Sequence, residues 1–213
     1  MLGNFVIFGD SYSTYIGNIP EGYAAYYATV QLNGAHPVGI MDLEDTWWRR
    51  MLKATGATLV RNDSWSGSTI SYTGYHGDCS ATSSFIKRFR NLKADGFFKN
   101  NKIDTVIVFG GTNDSWVPSP LGEIKLSGWE ESDLFSVRPA ISYLMSNLKT
   151  ELPDAHIIFI ANTNIKDEIV DCIKLSAEHY GVDVVELHDI TKEDGHPTSL
   201  GMSQICEQIM EHI

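Results

Sequence analysis

The sequence predicts an α/β fold: a three-layer α/β/α sandwich with a five-stranded parallel sheet between two layers of helices. Two patterns predict it. Strand-like and helix-like segments alternate along the whole chain, and the strand-like segments are unbroken apolar runs. Strands buried on both faces lose the polar-out alternation of a half-exposed sheet, and alternating order is what βαβ crossovers require. Length agrees, since 213 residues with 43% apolar and 20% charged content fit one domain over 1–213. A chain of this size buries roughly 70% of the surface its unfolded form exposes and needs no disulfide or metal staple.

The first strand is expected over Asn4–Phe8, followed by the polar turn Gly9-Asp10-Ser11. Trp47, Trp48, Met51 and Leu52 form a helical stripe over Asp45–Thr55, closed by Gly56. Thr58–Val60 reads as a second strand, and Asn62–Thr73, dense in Ser, Thr and Gly, as a loop. An irregular helix follows over Phe85–Phe98, then the fully apolar strand Thr105–Phe109, ended by Gly110-Gly111. A long loop runs through Pro118, Pro120 and Gly128. It leads to a helix with Arg138-Pro139 near its start and Ile141, Leu144, Met145 and Leu148 on one face. Strand His156–Ala161, helix Asp167–Tyr180, strand Val182–Leu187 and helix Ser199–Ile213 complete the order.

Composition excludes several classes. With 16 Lys and Arg against 27 Asp and Glu, a net charge of −11 argues against nucleic-acid backbones and anionic membranes as partners. Cys79, Cys172 and Cys206 form no CxxC pair and read as buried free thiols. The start, MLGNFVIFGDSYS, lacks a basic n-region and reads as a strand, so a cytoplasmic location is expected. Runs such as Val106–Phe109 and Ile157–Ala161 are too short to span a bilayer.

Ligands of open parallel sheets bind beyond the carboxyl ends of the strands. Three such ends carry polar sequences: Gly9-Asp10-Ser11-Tyr12-Ser13, Asn62-Asp63-Ser64-Trp65-Ser66-Gly67-Ser68 and Gly110-Gly111-Thr112-Asn113-Asp114. A fourth piece, Glu193-Asp194-Gly195-His196-Pro197, precedes the last helix. In this order the pieces resemble the blocks of the SGNH (GDSL-type) hydrolases across the whole chain. Gly9, Asp10 and Ser11 match the first block, Gly67 the second, Gly111-Thr112-Asn113-Asp114 the third and His196 the last.

The resemblance implies a flavodoxin-like topology and a serine esterase. Ser11 would be the nucleophile and His196 its base; the N–H groups of Ser11 and Gly67 and the side-chain amide of Asn113 would meet the oxyanion. The acid of the last block departs from the pattern. Three residues before His196 stands Glu193 instead of Asp, and Asp194 lies two before it. Register favours Glu193, Asp194 is the alternative, and a backbone carbonyl holding the imidazole is a third arrangement. A small-molecule ester is the expected partner, with a short acyl group and an acetylated sugar as the class to test.

Trp65 and Trp116 lie two and three residues from Gly67 and Asn113, where they would line the site or belong to the core. The segments Tyr12–Glu44 and Ser115–Asp133 are expected to shape its rim. His36, His76, His156, His179, His188 and His212 show no metal-ligand spacing, and neither a metal nor a cofactor is expected. Two competing readings remain: a flavodoxin-like flavin-binding protein, and a catalytically inactive SGNH domain that binds carbohydrate. The first leaves Asn113 and His196 unused, and the loop after strand one lacks the glycines that wrap a phosphate. The α/β-hydrolase pattern is disfavoured, because the Ser11 block lacks the second glycine of Gly-x-Ser-x-Gly.

Overall fold

The computed structural model describes residues 2–30 and 39–213, so His36 and part of the expected rim segment lie outside the described residues. Five parallel strands form the central sheet: β1 (Asn4–Gly9), β2 (Thr58–Ser64), β5 (Thr105–Phe109), β6 (His156–Ala161) and β7 (Asp183–Glu186). Their order is β2-β1-β5-β6-β7. The chain moves to one side of β1 to make β2 and to the other side to make β5. That reversal opens a crevice at the carboxyl ends of β1 and β5.

Side-chain alternation splits the core into two layers. Val6, Phe8, Val106, Val108, Ile157 and Phe159 point to one face, where α2 (Phe85–Ala94), α5 (Val137–Glu151) and α6 (Asp167–Tyr180) cover them. Phe5, Ile7, Ile107, Phe109, Ile158 and Ile160 point to the other, under α1 (Trp47–Thr55) and α7 (Ser199–Met210). Apolar residues on both faces explain why these strands show no alternation in the sequence. Among the described residues no helix is long and apolar enough to cross a membrane.

Several boundaries differ from the sequence expectation, each for a physical reason. β2 continues to Ser64 although Asn62, Asp63 and Ser64 looked like loop, because all three are buried with partners. Asn62 Nδ2 donates to the Ser13 carbonyl at 2.8 Å, Ser64 Oγ to Asn62 Oδ1 at 2.5 Å, and Asp63 faces Arg88. The expected helix over Phe85–Phe98 breaks at Gly96, whose φ of 71° ends α2 and starts the short α3 (Phe97–Asn100). Three short elements carried no readable period: ribbon β3/β4 (Thr73–Gly74 with Gly77–Asp78), helix α4 (Thr112–Trp116), and ribbon β8/β9 (Lys192–Glu193 with His196–Pro197).

Candidate active site

Ser11 sits where β1 gives way to a single 3₁₀ turn, Ser11–Ser13. A Cβ on Gly9 would lie 2.4 Å from Ser64 Oγ and 2.6 Å from Ser13 Cβ, so only glycine lets the chain turn there. Asp10 caps the turn, its Oδ1 accepting the Tyr12 N–H at 3.0 Å. The other carboxylate oxygen, Oδ2, has no hydrogen bond of ordinary geometry among the described residues. Burial pushes the Asp10 carboxyl up to about 7, against the pull of the Tyr12 N–H and the Thr112 hydroxyl. The turn aims Ser11 Oγ at His196 Nε2, 2.9 Å away.

His196 is delivered by ribbon β8/β9. Its two-residue turn, Asp194-Gly195, has φ of 47° and 77°, the positive values that a tight hairpin demands. Three tyrosines far away in sequence hold this ribbon. The Tyr12 hydroxyl donates to the Gly195 carbonyl, the Tyr27 hydroxyl donates to the Pro197 carbonyl at 2.9 Å, and the Tyr26 ring stacks on His196 at 3.7 Å. Lys192 anchors the other strand by donating to Asn162 Oδ1 at 3.1 Å and to the Thr163 carbonyl at 3.2 Å. Burial lowers this ammonium to about 8, with Asp10 pulling the other way.

On its far side His196 Nδ1 lies 3.2 Å from the carbonyl oxygen of Asp194. Glu193, favoured by register, pairs with His196 across the ribbon and lines a neighbouring cleft of about 500 Å³ with Asp42, Asp45 and Ser199. Trp116, 45% exposed, stands edge-on to His196 with ring centroids 6.0 Å apart. Trp65 packs against Tyr23 with ring centroids 4.3 Å apart and planes tilted by 33°.

The second and third loops are fastened to each other and to the first. Trp65 N–H donates to the Gly9 carbonyl at 3.1 Å, which brings the Trp65–Ser68 turn beside Ser11. Gly67 occupies the third position of that turn with φ of 77°, so its N–H belongs to the central peptide and not to the closing Ser68-to-Trp65 bond. Asn113 projects from α4 and uses Nδ2 to reach the Ser68 carbonyl at 2.9 Å, while Oδ1 accepts the Tyr75 hydroxyl at 3.0 Å. An amide has two N–H donors, and this pair of bonds fixes which way both point. Asp114, buried and raised above the usual carboxylate range by that burial, accepts the N–H groups of Ile70 and Ser71 at 2.8 and 3.0 Å.

The loops therefore converge on one crevice: a hydroxyl against an imidazole, with a positive-φ glycine and an oriented amide beside it. Such an arrangement suits nucleophilic attack on a carbonyl carbon. The family described as GDSL-like Lipase/Acylhydrolase matches residues 3–213. The chain belongs to this family.

Solved structures agree. A candidate GDSL-like lipase from Bacteroides uniformis is 39% identical with a TM-score of 0.89, the match covering 100% of this chain and 95% of the other. Another from Bacteroides ovatus is 36% identical with a TM-score of 0.88, covering 100% and 98%. An acetyl xylan esterase from Butyrivibrio proteoclasticus shares the fold at 19% identity and a TM-score of 0.64, covering 99% of this chain and 62% of the other. No curated protein matches.

The GDSL-type blocks pointed to Ser11, Gly67, Asn113 and His196, and the structure brings all four loops together. Sequence reasoning passed over Tyr12, Tyr26, Tyr75, Arg88 and Lys192. Arg88 was legible as the lone cation on the apolar face of α2, among Phe85, Phe89 and Leu92. The tyrosines carried no such signal, because their partners lie elsewhere in the chain: Tyr26 is 170 residues from His196 and Tyr75 is 38 from Asn113. Cys79, Cys172 and Cys206 are all buried free thiols. No group of three or more potential metal-ligating side chains occurs among the described residues.

Proposed function

We propose that this GDSL-family chain is a serine esterase that hydrolyses carboxylic esters through an acyl-enzyme. The observation that carries the reading is the 2.9 Å contact of Ser11 Oγ with His196 Nε2. His196 takes the Ser11 proton as Oγ attacks the ester carbonyl. The negative charge that moves onto the carbonyl oxygen is met by the N–H groups of Ser11 and Gly67 and by the Asn113 amide. Collapse expels the alcohol, which leaves with the proton that His196 returns. Water, deprotonated by the same imidazole, then releases the acid and regenerates Ser11. The Asp194 carbonyl keeps Nδ1 in its protonated tautomer, leaving Nε2 to accept.

A sugar alcohol suits the leaving side, where Tyr26 and Trp116 offer ring faces and edges beside His196. Esters of carbohydrate alcohols are therefore the first class to assay. Several carbohydrate esterases share this fold, the acetyl xylan esterase among them.

Hydrolysis of p-nitrophenyl acetate by wild type, Ser11→Ala and His196→Ala tests the reading. Loss of either group is expected to lower kcat by at least about 10³-fold. Equal turnover by wild type and Ser11→Ala overturns it.

A further inference from the structure

We infer that the cleft between Trp65 and Tyr75 is the acyl-side subsite, and that it takes a planar acyl group larger than acetyl, such as an arylalkenoyl group. The inference rests on the esterase reading and names its acyl substrate class. The cleft encloses about 380 Å³ and is lined in part by Trp65, Gly67, Tyr75, His76, Asp78 and Thr82. Small-molecule sites begin at about 300 Å³. An acetyl methyl group would leave most of this space empty.

Direction follows from the chemistry. The tetrahedral carbon carries Ser11 Oγ, the oxyanion, the leaving oxygen and the acyl chain. The leaving oxygen must receive the proton from His196, so it faces the side where Tyr26 and Trp116 stand. None of those three residues lines the cleft, whereas Gly67, the proposed oxyanion donor, does. The acyl chain is assigned to the remaining side, toward Gly67, through which the cleft adjoins the crevice at Ser11.

Shape follows from its walls. Trp65 is backed by the Tyr23 ring at 4.3 Å, which makes it a fixed flat surface. Tyr75 is tethered through its hydroxyl to Asn113 Oδ1 at 3.0 Å. Two restrained aromatic side chains favour a planar guest, and aromatic pairs gain beyond their buried area. His76 and Asp78 supply hydrogen-bonding groups for polar substituents on such a ring. Tyr75 thereby acts twice: it walls the subsite, and it is a positioning residue for the Asn113 amide.

The test keeps one leaving group and varies the acyl group: p-nitrophenyl acetate, hexanoate and cinnamate, each rate divided by its hydroxide-catalysed rate. In wild type, corrected kcat/KM is expected to rise from acetate to hexanoate to cinnamate, the last at least about tenfold above acetate. Thr82→Trp and, independently, His76→Trp fill the cleft from its exposed edge and should lower the cinnamate-to-acetate ratio by about tenfold or more. Tyr75→Phe should lower kcat for all three esters by about two- to tenfold, the worth of one hydrogen bond, while KM for acetate moves less. A wild-type order that falls from acetate to cinnamate, or hexanoate above cinnamate, overturns the assignment. So does an unchanged ratio in both filled variants. Acetate turnover that survives Ser11→Ala instead removes the esterase reading beneath it.

Discussion

Tyr26 and His196 lie ring on ring, their centroids 3.7 Å apart and their planes within 7° of parallel. Hydrogen bonds at both nitrogens hold the imidazole edge, and the stack opposes rocking of the ring out of its plane. The Tyr26 hydroxyl is buried without a hydrogen bond among the described residues, which separates the ring's contribution from that of the oxygen. Tyr26→Ala should lower kcat by about two- to tenfold, the range of a stacked pair worth about 0.5–1.5 kcal/mol, with KM little changed. Tyr26→Phe keeps the stack and should retain wild-type kcat. Steady-state kinetics on one ester decides it: equal losses in both variants would mean that the ring contact is not what matters.

Asp194, more than Glu193, is expected to govern the orientation of His196. The Asp194 carbonyl is 3.2 Å from Nδ1, and its φ of 47° is a conformation that a short polar side chain tolerates better than alanine does. Asp194→Ala should therefore cost at least about tenfold in kcat, and Glu193→Ala less than about threefold, one tenfold step being about 1.4 kcal/mol. Parallel assays at saturating substrate compare them. A larger loss at Glu193 returns the role to the residue that register favoured.

The buried Asp10 makes stability depend on pH. Its carboxyl, ordinarily near 3.8, is raised to about 7 by burial, with Asp114 adding to the rise and Arg88 opposing it. A carboxylic acid whose folded pKa is raised costs nothing below pH 4, where both states are protonated. The cost grows from there to pH 7, because the unfolded chain ionises first, and stays constant above. At about 1.4 kcal/mol per pKa unit the full penalty is roughly 4 kcal/mol. Asp10→Asn keeps an oxygen for the Tyr12 N–H and removes the ionisation. Its stability relative to wild type should therefore improve by roughly 2–4 kcal/mol between pH 4 and pH 8. Lys192, lowered to about 8 by burial, is held up by the Asp10 charge, so in Asp10→Asn it falls further and offsets part of the gain at pH 8, which favours the lower end of that range. Urea melts of the pair at the two pH values measure it, and a pH-independent difference refutes the assignment.

What the sequence made legible follows from what each element buries. β5 and β6 read correctly because every inward and outward residue is apolar, as at Val106–Phe109 and Ile157–Ala161. β2 runs past Val60, where the sequence predicts its end, since Asn62, Asp63 and Ser64 look like loop until their distant partners are known. Two-residue ribbons have no period to detect, so how His196 is presented leaves no trace in the sequence. Ser11, Gly67 and Asn113 are visible as motifs because each follows the end of a sheet strand. The aromatic enclosure around them is not, since Tyr12, Tyr26 and Tyr75 are placed by contacts between loops.

Arg88 ties those loops together from beneath, and its removal should cost both stability and activity. Fully buried on α2, it donates to the Gly9 carbonyl and Ser68 Oγ, both at 3.1 Å, to the Ser83 carbonyl at 3.0 Å, and to the backbone and carboxylate of Asp63. Its guanidinium also lies over the Phe85 ring, 4.4 Å from the centroid. One side chain thus joins the end of β1, the end of β2 and the Gly67 loop. Arg88→Met would leave the buried Asp63 carboxylate with only the half-exposed Arg61, 2.9 Å away, as an ionic partner among the described residues. Breaking a buried pair by deleting one partner costs about 3–5 kcal/mol. At about 2–4 °C per kcal/mol for a chain of this size, Tm should fall by roughly 6–20 °C. Arg88→Lys should recover only a minor part, because a single ammonium cannot reproduce donors spread over the planar fork. Calorimetry on both variants tests this: a Tm within about 3 °C of wild type for Arg88→Met, well under the cost of a broken buried pair, would show that the three loops are held by something else.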